Sequence, residues 1–566
     1  MAAAPSLSSQ PDRGWPWGLA LILAVALTYT PVWQAGFIWD DDAFLTGNPC
    51  IIGPLGLREI WTTKAADICP LTLTMVWVGH AFWGLAPLPY HLMNVLLHAA
   101  CAVLLWRVLQ NLNVPGAWLG AMLWALHPLQ VETVAWVSEL RNTQSCLFYL
   151  LSILFFVKWL RTEENRPVGY WNYVLVLVFT VLAIASKSST VVLPVVLCLC
   201  AWWLKGRWQW HSVTAVAPLF FMAIVAGGIS ILTRAPRAGE AAEWVRPWPE
   251  RIAAAGNVIW FYVDKLICPY PLIASYPPWQ IDAERWTSYL SLLAAIVIFF
   301  ILWLKRRTWA EPWFFAFAYF LAALLPVLGL AQMNASAHGL VADHLQYLAG
   351  MGPLALAGAG LARLAGYVAP EKWWRELALG AGILVIFGTW SWQRAWVFEN
   401  KTAFWADTLG KNPACWVGYN DLGNILARTG HLDEAIAYYQ EALAYNSNYP
   451  DALNNLGGAL AQQGRMDEAV ANYQKALEID PDLADAHNNL GLALFQERQV
   501  DQAIAQYQQA LKIDPNLSSA HYNDGVALAR KGEMNEAIEQ FQEALKINPQ
   551  DSAARVQLNR DLSGRK

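Results

Sequence analysis

Charge is scarce in this chain: Lys, Arg, Asp and Glu make up 14% of its 566 residues, against 56% hydrophobic residues. So little charge excludes a disordered chain and an ordinary nucleic-acid-binding surface, which both depend on a high density of it. Cysteine is sparse too, eight in all, and no Cys-x-x-Cys pair or Cys/His pair at finger spacing occurs. That excludes a disulfide-dense secreted scaffold and a zinc module. No Gly-rich phosphate loop follows a strand pattern, which argues against a nucleotide-sugar domain. Cys198 and Cys200 sit inside an apolar run as small hydrophobes. Cys50 and Cys69 flank one polar loop and can pair only if that loop faces an oxidising compartment and the geometry allows it.

What the chain has in plenty is tryptophan and apolar length. Of 32 Trp, 31 lie in 1–415, where 26 Lys+Arg against 22 Asp+Glu give a net charge of +4. Residues 416–566 carry 12 against 21, a net charge of −9. The first part suits lipid interfaces; the second is acidic and soluble. Apolar runs near the ~20 residues that a span needs fall at 15–33, 89–109, 117–136, 142–160, 170–186, 189–204, 212–232, 287–304, 313–331, 346–365 and 376–395, eleven in all. The first is too long for a signal-peptide core and lacks a small-residue cleavage site, so it reads as a retained anchor. Arg107, Lys158, Arg161, Arg166, Lys205, Arg207, Lys305, Arg306, Arg307, Lys372 and Arg375 collect on one side of the alternating loops, which marks that side as cytoplasmic. The asymmetry holds only if 252–267 does not fully cross. Residues 233–286 then form one external region whose helix lies along or dips into the membrane, and the acidic tail emerges externally.

The tail repeats itself with a period of 34 residues. Leu422-Gly423, Leu456-Gly457, Leu490-Gly491 and Asp524-Gly525 keep this step, as do Ala435, Ala469, Ala503 and Ala537, and Tyr439, Tyr473, Tyr507 and Phe541. Pro481, Pro515 and Pro549 close three units; the first has Ser447 instead, with Pro450 beyond it. Small residues let two antiparallel helices approach, and the aromatic fills the gap to the next pair. The pattern resembles the tetratricopeptide repeat (TPR), in units 416–449, 450–483, 484–517 and 518–551, with a polar capping helix at 552–566. The fold class is therefore all-α: a polytopic helix bundle over 1–400, a linker at 401–415 and a TPR solenoid. At the sixth position of the units stand Asp421, Asn455, Asn489 and Asn523, preceded in three by Asn420, Asn454 and Asn488. An amide both donates and accepts, so such a row can grip an extended peptide without reading its sequence; it resembles the asparagine ladder of the O-GlcNAc transferase repeats. The alternative is a generic repeat consensus with solvated Asn. An acidic array also prefers cationic partners.

Directly outside the first span, Phe37-Ile38-Trp39 runs into Asp40-Asp41-Asp42. Three adjacent carboxylates repel one another and persist most easily beside a divalent cation, beside a cationic ligand or with one proton held. Further on come Pro70-Leu71-Thr72, Trp83-Gly84-Leu85, Tyr90-His91-Leu92-Met93-Asn94, His98, His127-Pro128, Glu132-Thr133-Val134-Ala135-Trp136 and Ser186-Lys187-Ser188. In this order, and joined to a C-terminal repeat array, these motifs resemble the transmembrane-and-TPR O-mannosyltransferase family, a branch of the C-type glycosyltransferases. The resemblance implies transfer of a hexose from a polyprenyl-phosphate carrier to an acceptor outside the membrane, with the array recruiting a protein. An acidic residue of the first external loop would be base or metal ligand. Asp41 is the favoured base, Asp40 or Asp42 orients it, and Asp40 and Asp42 would hold a divalent cation if one is used. Glu132 is a second acid, and His127 and His91 are further candidates. His91 and His98, seven residues apart on one helical face, also read as interhelical contacts, His127 as a helix cap and Lys187 as a snorkelling lysine. Lys187 would otherwise neutralise the leaving lipid phosphate. The family's late external loop carries an acidic-Arg-x-x-Tyr pattern, and here Asp343-His344-Leu345-Gln346-Tyr347 puts His344 in place of the arginine; Arg234, Arg237 and Arg246 are the possible substitutes. Two alternatives remain open: an inactive membrane-anchored TPR scaffold for envelope assembly, and an enzyme with a glycan or lipid acceptor. Compact loops and short termini point to a bacterial inner membrane with a periplasmic array.

Overall fold

A computed structural model describes residues 14–53, 55–63, 69–162, 167–233, 246–330, 339–368 and 374–563. Among these residues every regular element is helical. The helices are α1 (Trp15–Thr28), α2 (Leu57–Thr62), α3 (Pro70–Trp83), α4 (Pro87–Asn111), α5 (Ala117–Leu126), α6 (Val131–Ala135), α7 (Leu140–Arg161), α8 (Pro167–Ser186), α9 (Leu193–Lys205), α10 (Trp210–Thr233), α11 (Trp248–Ile267), α12 (Leu290–Lys305), α13 (Glu311–Leu324), α14 (Met351–Val368), α15 (Trp374–Ile383), α16 (Thr389–Ala395) and α17 (Lys401–Lys411). The array continues as α18 (Trp416–Arg428), α19 (Leu432–Tyr445), α20 (Pro450–Gln462), α21 (Met466–Ile479), α22 (Ala484–Gln496), α23 (Val500–Ile513), α24 (Ser518–Lys531), α25 (Met534–Ile547) and α26 (Ser552–Ser563).

Six of the described helical stretches are long and apolar enough to cross a bilayer: Pro87–Asn111, Val137–Arg161, Gly169–Ser186, Ser188–Lys205, Trp210–Ile231 and Trp286–Lys305. Trp15–Thr28, Ala117–Leu126 and Glu311–Val327 are shorter apolar helices. On α12, Leu290, Leu293, Ile296, Val297, Phe300 and Ile301 are all exposed, a band that water would not tolerate and acyl chains match. The protein is an integral membrane protein. One expected span does not run its full length: the helix starting at Ala117 ends at Leu126, because Pro128 follows and lacks the N–H a helix would use. The chain then turns through buried short helical pieces into the span beginning at Val137. The stretch at 252–267 is indeed helical, inside α11.

At the centre of the bundle all ten residues of α5 are buried. It can sit there because glycines face glycines: a Cβ on Gly358 would lie 2.3 Å from the backbone nitrogen of Gly120. Small residues are how membrane helices reach backbone contact, since lipid supplies no hydrophobic drive between them. In the array each Gly of the Leu-Gly or Asp-Gly step lies under the repeat's own aromatic ring, with a Cβ on Gly457 2.6 Å from Tyr473. Replacing Gly358 with Val would force α5 and α14 apart and cost ~1–3 kcal/mol; the expected result is a lower unfolding temperature of the detergent-solubilised protein than wild type, read by intrinsic Trp fluorescence.

Candidate functional site

Asp40, Asp41 and Asp42 point to three different environments. Trp39 has φ 38, a left-handed conformation that a bulky residue adopts only where its surroundings enforce it. Its ring stacks on Trp136 at 5.2 Å and lies 5.0 Å from Trp405. The sharp turn sends Asp41 inward, fully buried, where one carboxylate oxygen accepts the Ile38 N–H at 2.9 Å and the other the Ser138 N–H at 2.7 Å. Burial pushes the Asp41 carboxyl up to about 8, aided by the charges of Asp40 and Asp42 and opposed by the two N–H donors. Asp42 is exposed, accepts the Thr46 hydroxyl at 2.8 Å and is ion-paired with Lys401. Asp40 is half-buried between them.

Across the same face, polar side chains from three distant loops converge. His344 is held between two carboxylates: Nδ1 is 2.6 Å from Glu132 Oε1 and Nε2 is 3.8 Å from Glu139 Oε1. Glu139 also pairs with Arg141 at 2.9 Å and with Lys187 at 3.8 Å, while Lys187 donates to Asn142 Oδ1 at 2.5 Å and Asn142 donates to Glu139. Burial alone would lower the His344 pKa, but Glu139 and Glu132 outweigh it and raise the imidazole above its ordinary value. Next to it Asp343, buried, accepts the Tyr276 hydroxyl at 2.8 Å, and burial followed by the Glu132 charge pushes its carboxyl up to about 8. Trp136 packs edge-on against His344 at 6.0 Å, so the stack from Trp405 through Trp39 ends on this cluster.

The structure thus brings together Glu132, Lys187 and His344, with the Asp triplet beside them through Ser138 and the Trp stack. It leaves other expected residues out. His127 accepts the Leu129 N–H on Nδ1 at 3.3 Å and faces the Leu266 carbonyl through Nε2 at 3.2 Å; it caps a turn, and burial lowers its pKa to about 4. His91 Nε2 lies 3.3 Å from the Gly36 carbonyl and ties α4 to the chain after α1, while the two nitrogens of His98 meet the Tyr347 hydroxyl and the Ala125 carbonyl and tie α4 to α5. Arg234 and Arg237 lie outside the described residues, and Arg246 donates to the Trp279 carbonyl at 3.1 Å. Glu139, Arg141 and Asn142 were not singled out from sequence; charges at the head of an apolar run read as ordinary end residues, and their convergence is tertiary. Cys50 and Cys69 are both buried free thiols. Each Asp41 oxygen accepts a backbone N–H, and Asp42 is engaged by Lys401 and Thr46. Among the described residues no group of three or more His, Cys, Asp or Glu is arranged as metal ligands would be.

The stretch 401–415, expected as a linker, contains α17, with Phe404 and Trp405 fully buried. Asp407 pairs with Arg394 and with Lys411, Lys411 donates to the Leu272 carbonyl at 3.1 Å, and Asn412 donates to the Ser275 carbonyl at 2.9 Å. The array's first helix packs closely on this strap: a Cβ on Gly418 would lie 2.9 Å from Trp405. In the array Asn455 donates to Asn420, Asn489 to Asn454 and Asn523 to Asn488, at 2.9, 3.0 and 2.9 Å. The acceptors Asn420, Asn454 and Asn488 are buried and tie successive repeats. The donors Asn455, Asn489 and Asn523 keep their own side-chain carbonyls as further acceptors. Within the bundle, α4, α7, α9 and α11 to α14 line an apolar cavity of about 820 Å³, with Leu109, Trp203, Trp260, Leu302, Phe320 and Met351 among its walls.

Two family models described as TPR repeat and tetratricopeptide repeat match residues 423–464 and 457–497, and residues 488–552, respectively. The chain is similar to protein O-mannosyl-transferase Tmtc1 of Drosophila melanogaster, 27% identical over 34% of this chain and 24% of the relative. It is 30% identical to protein O-mannosyl-transferase TMTC2 of Mus musculus over 27% of this chain and 20% of the relative. With protein O-mannosyl-transferase Tmtc2 of Drosophila melanogaster it is 39% identical over 24% of this chain and 16% of the relative. The chain therefore spans less than a quarter of the length of these relatives. Among solved structures, MamA is 26% identical, covering 26% of this chain and 79% of that chain at a TM-score of 0.23.

Because His344 is raised by its carboxylates, the stability it contributes is full below its unfolded pKa of ~6.5 and is lost as pH rises through its elevated folded value. Glu132→Gln removes one of those charges, so the His344 titration is expected to move to lower pH, checked by NMR of histidine-labelled protein; an unmoved titration would show that the pair does not control it.

Proposed function

We propose that this chain is a membrane glycosyltransferase that moves a hexose from a polyprenyl-phosphate carrier to a hydroxyl of a protein acceptor held by the TPR array, on the external face of a bacterial inner membrane. The observation that carries the reading is the convergence of cationic side chains from three loops: Arg141, Lys187 and His344 meet around Glu139, with His344 also against Glu132. Arg supplies planar paired donors and Lys a point charge, both suited to phosphate oxygens. His344 in place of an arginine is compatible with this role because its carboxylate neighbours favour the imidazolium form. The apolar cavity within the bundle suits the carrier's hydrocarbon chain.

In this reading Asp40 takes the proton of the acceptor hydroxyl while that oxygen bonds to the sugar's anomeric carbon. The carbon–oxygen bond to the carrier phosphate breaks, and the electron pair leaves with the phosphate toward Lys187, Arg141 and His344. Asp41, with both oxygens committed to backbone N–H groups, positions the turn instead, so the roles expected of Asp40 and Asp41 exchange. External placement rests on the Lys/Arg asymmetry of the loops, and mannose is the sugar that the relatives' names carry. With radiolabelled polyprenyl-phosphate mannose added to membranes, Asp40→Asn is expected to lower transfer to protein by at least ~100-fold, and Asp41→Asn to lower it together with the unfolding temperature. Wild-type membranes that bind protein partners yet transfer no label to protein, glycan or lipid would favour the anchored scaffold instead; label on glycan or lipid alone would change the acceptor class.

A further inference from the structure

The apolar cavity is not uniform along its length. Among its described wall residues only Glu311 and Arg363 carry charge, and both stand at the end remote from the charged cluster. α7 begins beside Glu139 and ends at Arg161 after 22 residues, ~33 Å at about 1.5 Å per residue, which matches the ~30 Å core of a bilayer. Arg161 donates to Asn113 at 3.1 Å, and Asn113 is itself a wall of the cavity. α14 runs in the same direction. Met351, whose sulfur accepts the Tyr319 hydroxyl, opens it just after the His344 turn, and Arg363 comes ~18 Å further along. At that level α14 meets the start of α5, where a Cβ on Gly116 would lie 2.6 Å from Ala362. Arg306, one turn after the wall residue Leu302, lies with its guanidinium 3.7 Å from the Trp303 ring centre. Arg363 is exposed, and among the described residues no carboxylate pairs with it. An ionisable side chain that borders an apolar space in a membrane calls for a partner.

We propose that this end of the cavity binds an anionic phospholipid from the leaflet opposite the charged cluster, with its phosphate on Arg363 and one acyl chain lying along α14. The depth fits: one leaflet supplies half of the ~30 Å core, ~15 Å, so a chain anchored at Arg363 reaches the level of Met351. The polarity fits as well, since the walls toward Met351, among them Trp260, Leu266 and Ile267, are apolar and the charged walls lie only at the mouth. Arginine's paired donors suit phosphate oxygens. The Asn113 amide, whose oxygen is taken by Arg161, keeps its N–H groups for the same headgroup. Arg161 and Arg306 beside the mouth favour a headgroup without a cation of its own over a zwitterionic one. A lipid whose phosphate sat at the charged cluster would instead lay hydrocarbon against Glu311 and Arg363. The walls contributed by α11 stay open to the carrier's chain, and the phospholipid site stands whether or not the chain transfers sugar.

The test uses the full chain in a neutral detergent, native mass spectrometry, and four probes: phosphatidylglycerol, phosphatidylcholine, polyprenyl phosphate and inorganic phosphate. Phosphatidylglycerol is expected to bind one to one and about fivefold more tightly than phosphatidylcholine, and Arg363→Gln to remove that preference. Gly360 is a wall residue whose Cβ would meet nothing within 4 Å. Gly360→Leu therefore fills part of the cavity without displacing a neighbour, and it is expected to weaken phosphatidylglycerol binding with Arg363 still in place. Arg207→Gln removes an exposed cation just beyond α9 that is not a wall and is expected to leave the preference unchanged. Unfolding temperatures measured without lipid show whether each variant is folded, and either cavity variant suffices if the other is not. Equal binding of the two phospholipids by wild type, a preference that survives Arg363→Gln, or an equal loss in Arg207→Gln overturns the headgroup site. Polyprenyl phosphate that displaces phosphatidylglycerol and is itself lost in Arg363→Gln gives the whole cavity to the carrier. Inorganic phosphate that raises the unfolding temperature as much as phosphatidylglycerol does shows an anion site without a lipid, and overturns the proposal.

Discussion

The charged face of this protein depends on one buried carboxyl. Asp41 spans 97 residues of sequence to take the Ser138 N–H while holding the Ile38 N–H with its other oxygen. An acceptor of this kind, shut away from water, is worth having only if every lone pair facing the protein finds a donor. Once it does, the loop after α1 has one position relative to the helical stretch that begins at Val137. The site follows from that register: Trp39 stacks on Trp136, and Glu139 and Arg141, just beyond Ser138, are aligned with His344.

The charged cluster obeys a related constraint. Ionised groups at the membrane boundary have to be paired, and here they are paired across loops rather than within them: Glu132 and Glu139 come from one, His344 from another 200 residues on, Lys187 from a third. Pairing of this sort leaves few arrangements for the loops to adopt.

The repeat array was legible in the sequence down to single residues, because its period repeats the same physical solution four times and each copy reports on the others. The long spans were legible for a similar reason, since lipid imposes a length. Residues 117–136 read as one apolar run, yet Pro128 divides it, and that signal was present in the sequence. Residues 401–415 read as a linker because Lys401, Asp407, Lys411 and Asn412 look like solvated surface. Their partners, Asp42, Arg394 and the carbonyls of Leu272 and Ser275, are distant in sequence and no local pattern announces them. The division of labour within Asp40-Asp41-Asp42 was illegible for the same reason: three identical residues are distinguished only by a backbone turn and by what lies across from it.

One feature of the array has a mechanical consequence. Its first repeat is clamped by α17, whereas the fourth carries Asp524 where the others have Leu, buried with one oxygen lacking a partner. Stability in such solenoids is a sum over nearest neighbours, so a unit holding an unsatisfied buried carboxyl opens at less cost than one packed on a rigid strap. Compliance therefore differs from repeat to repeat under one sequence pattern: the first unit, seated on α17, is the stiffer, and the fourth, with Asp524 beside the glycine under its aromatic ring, the softer.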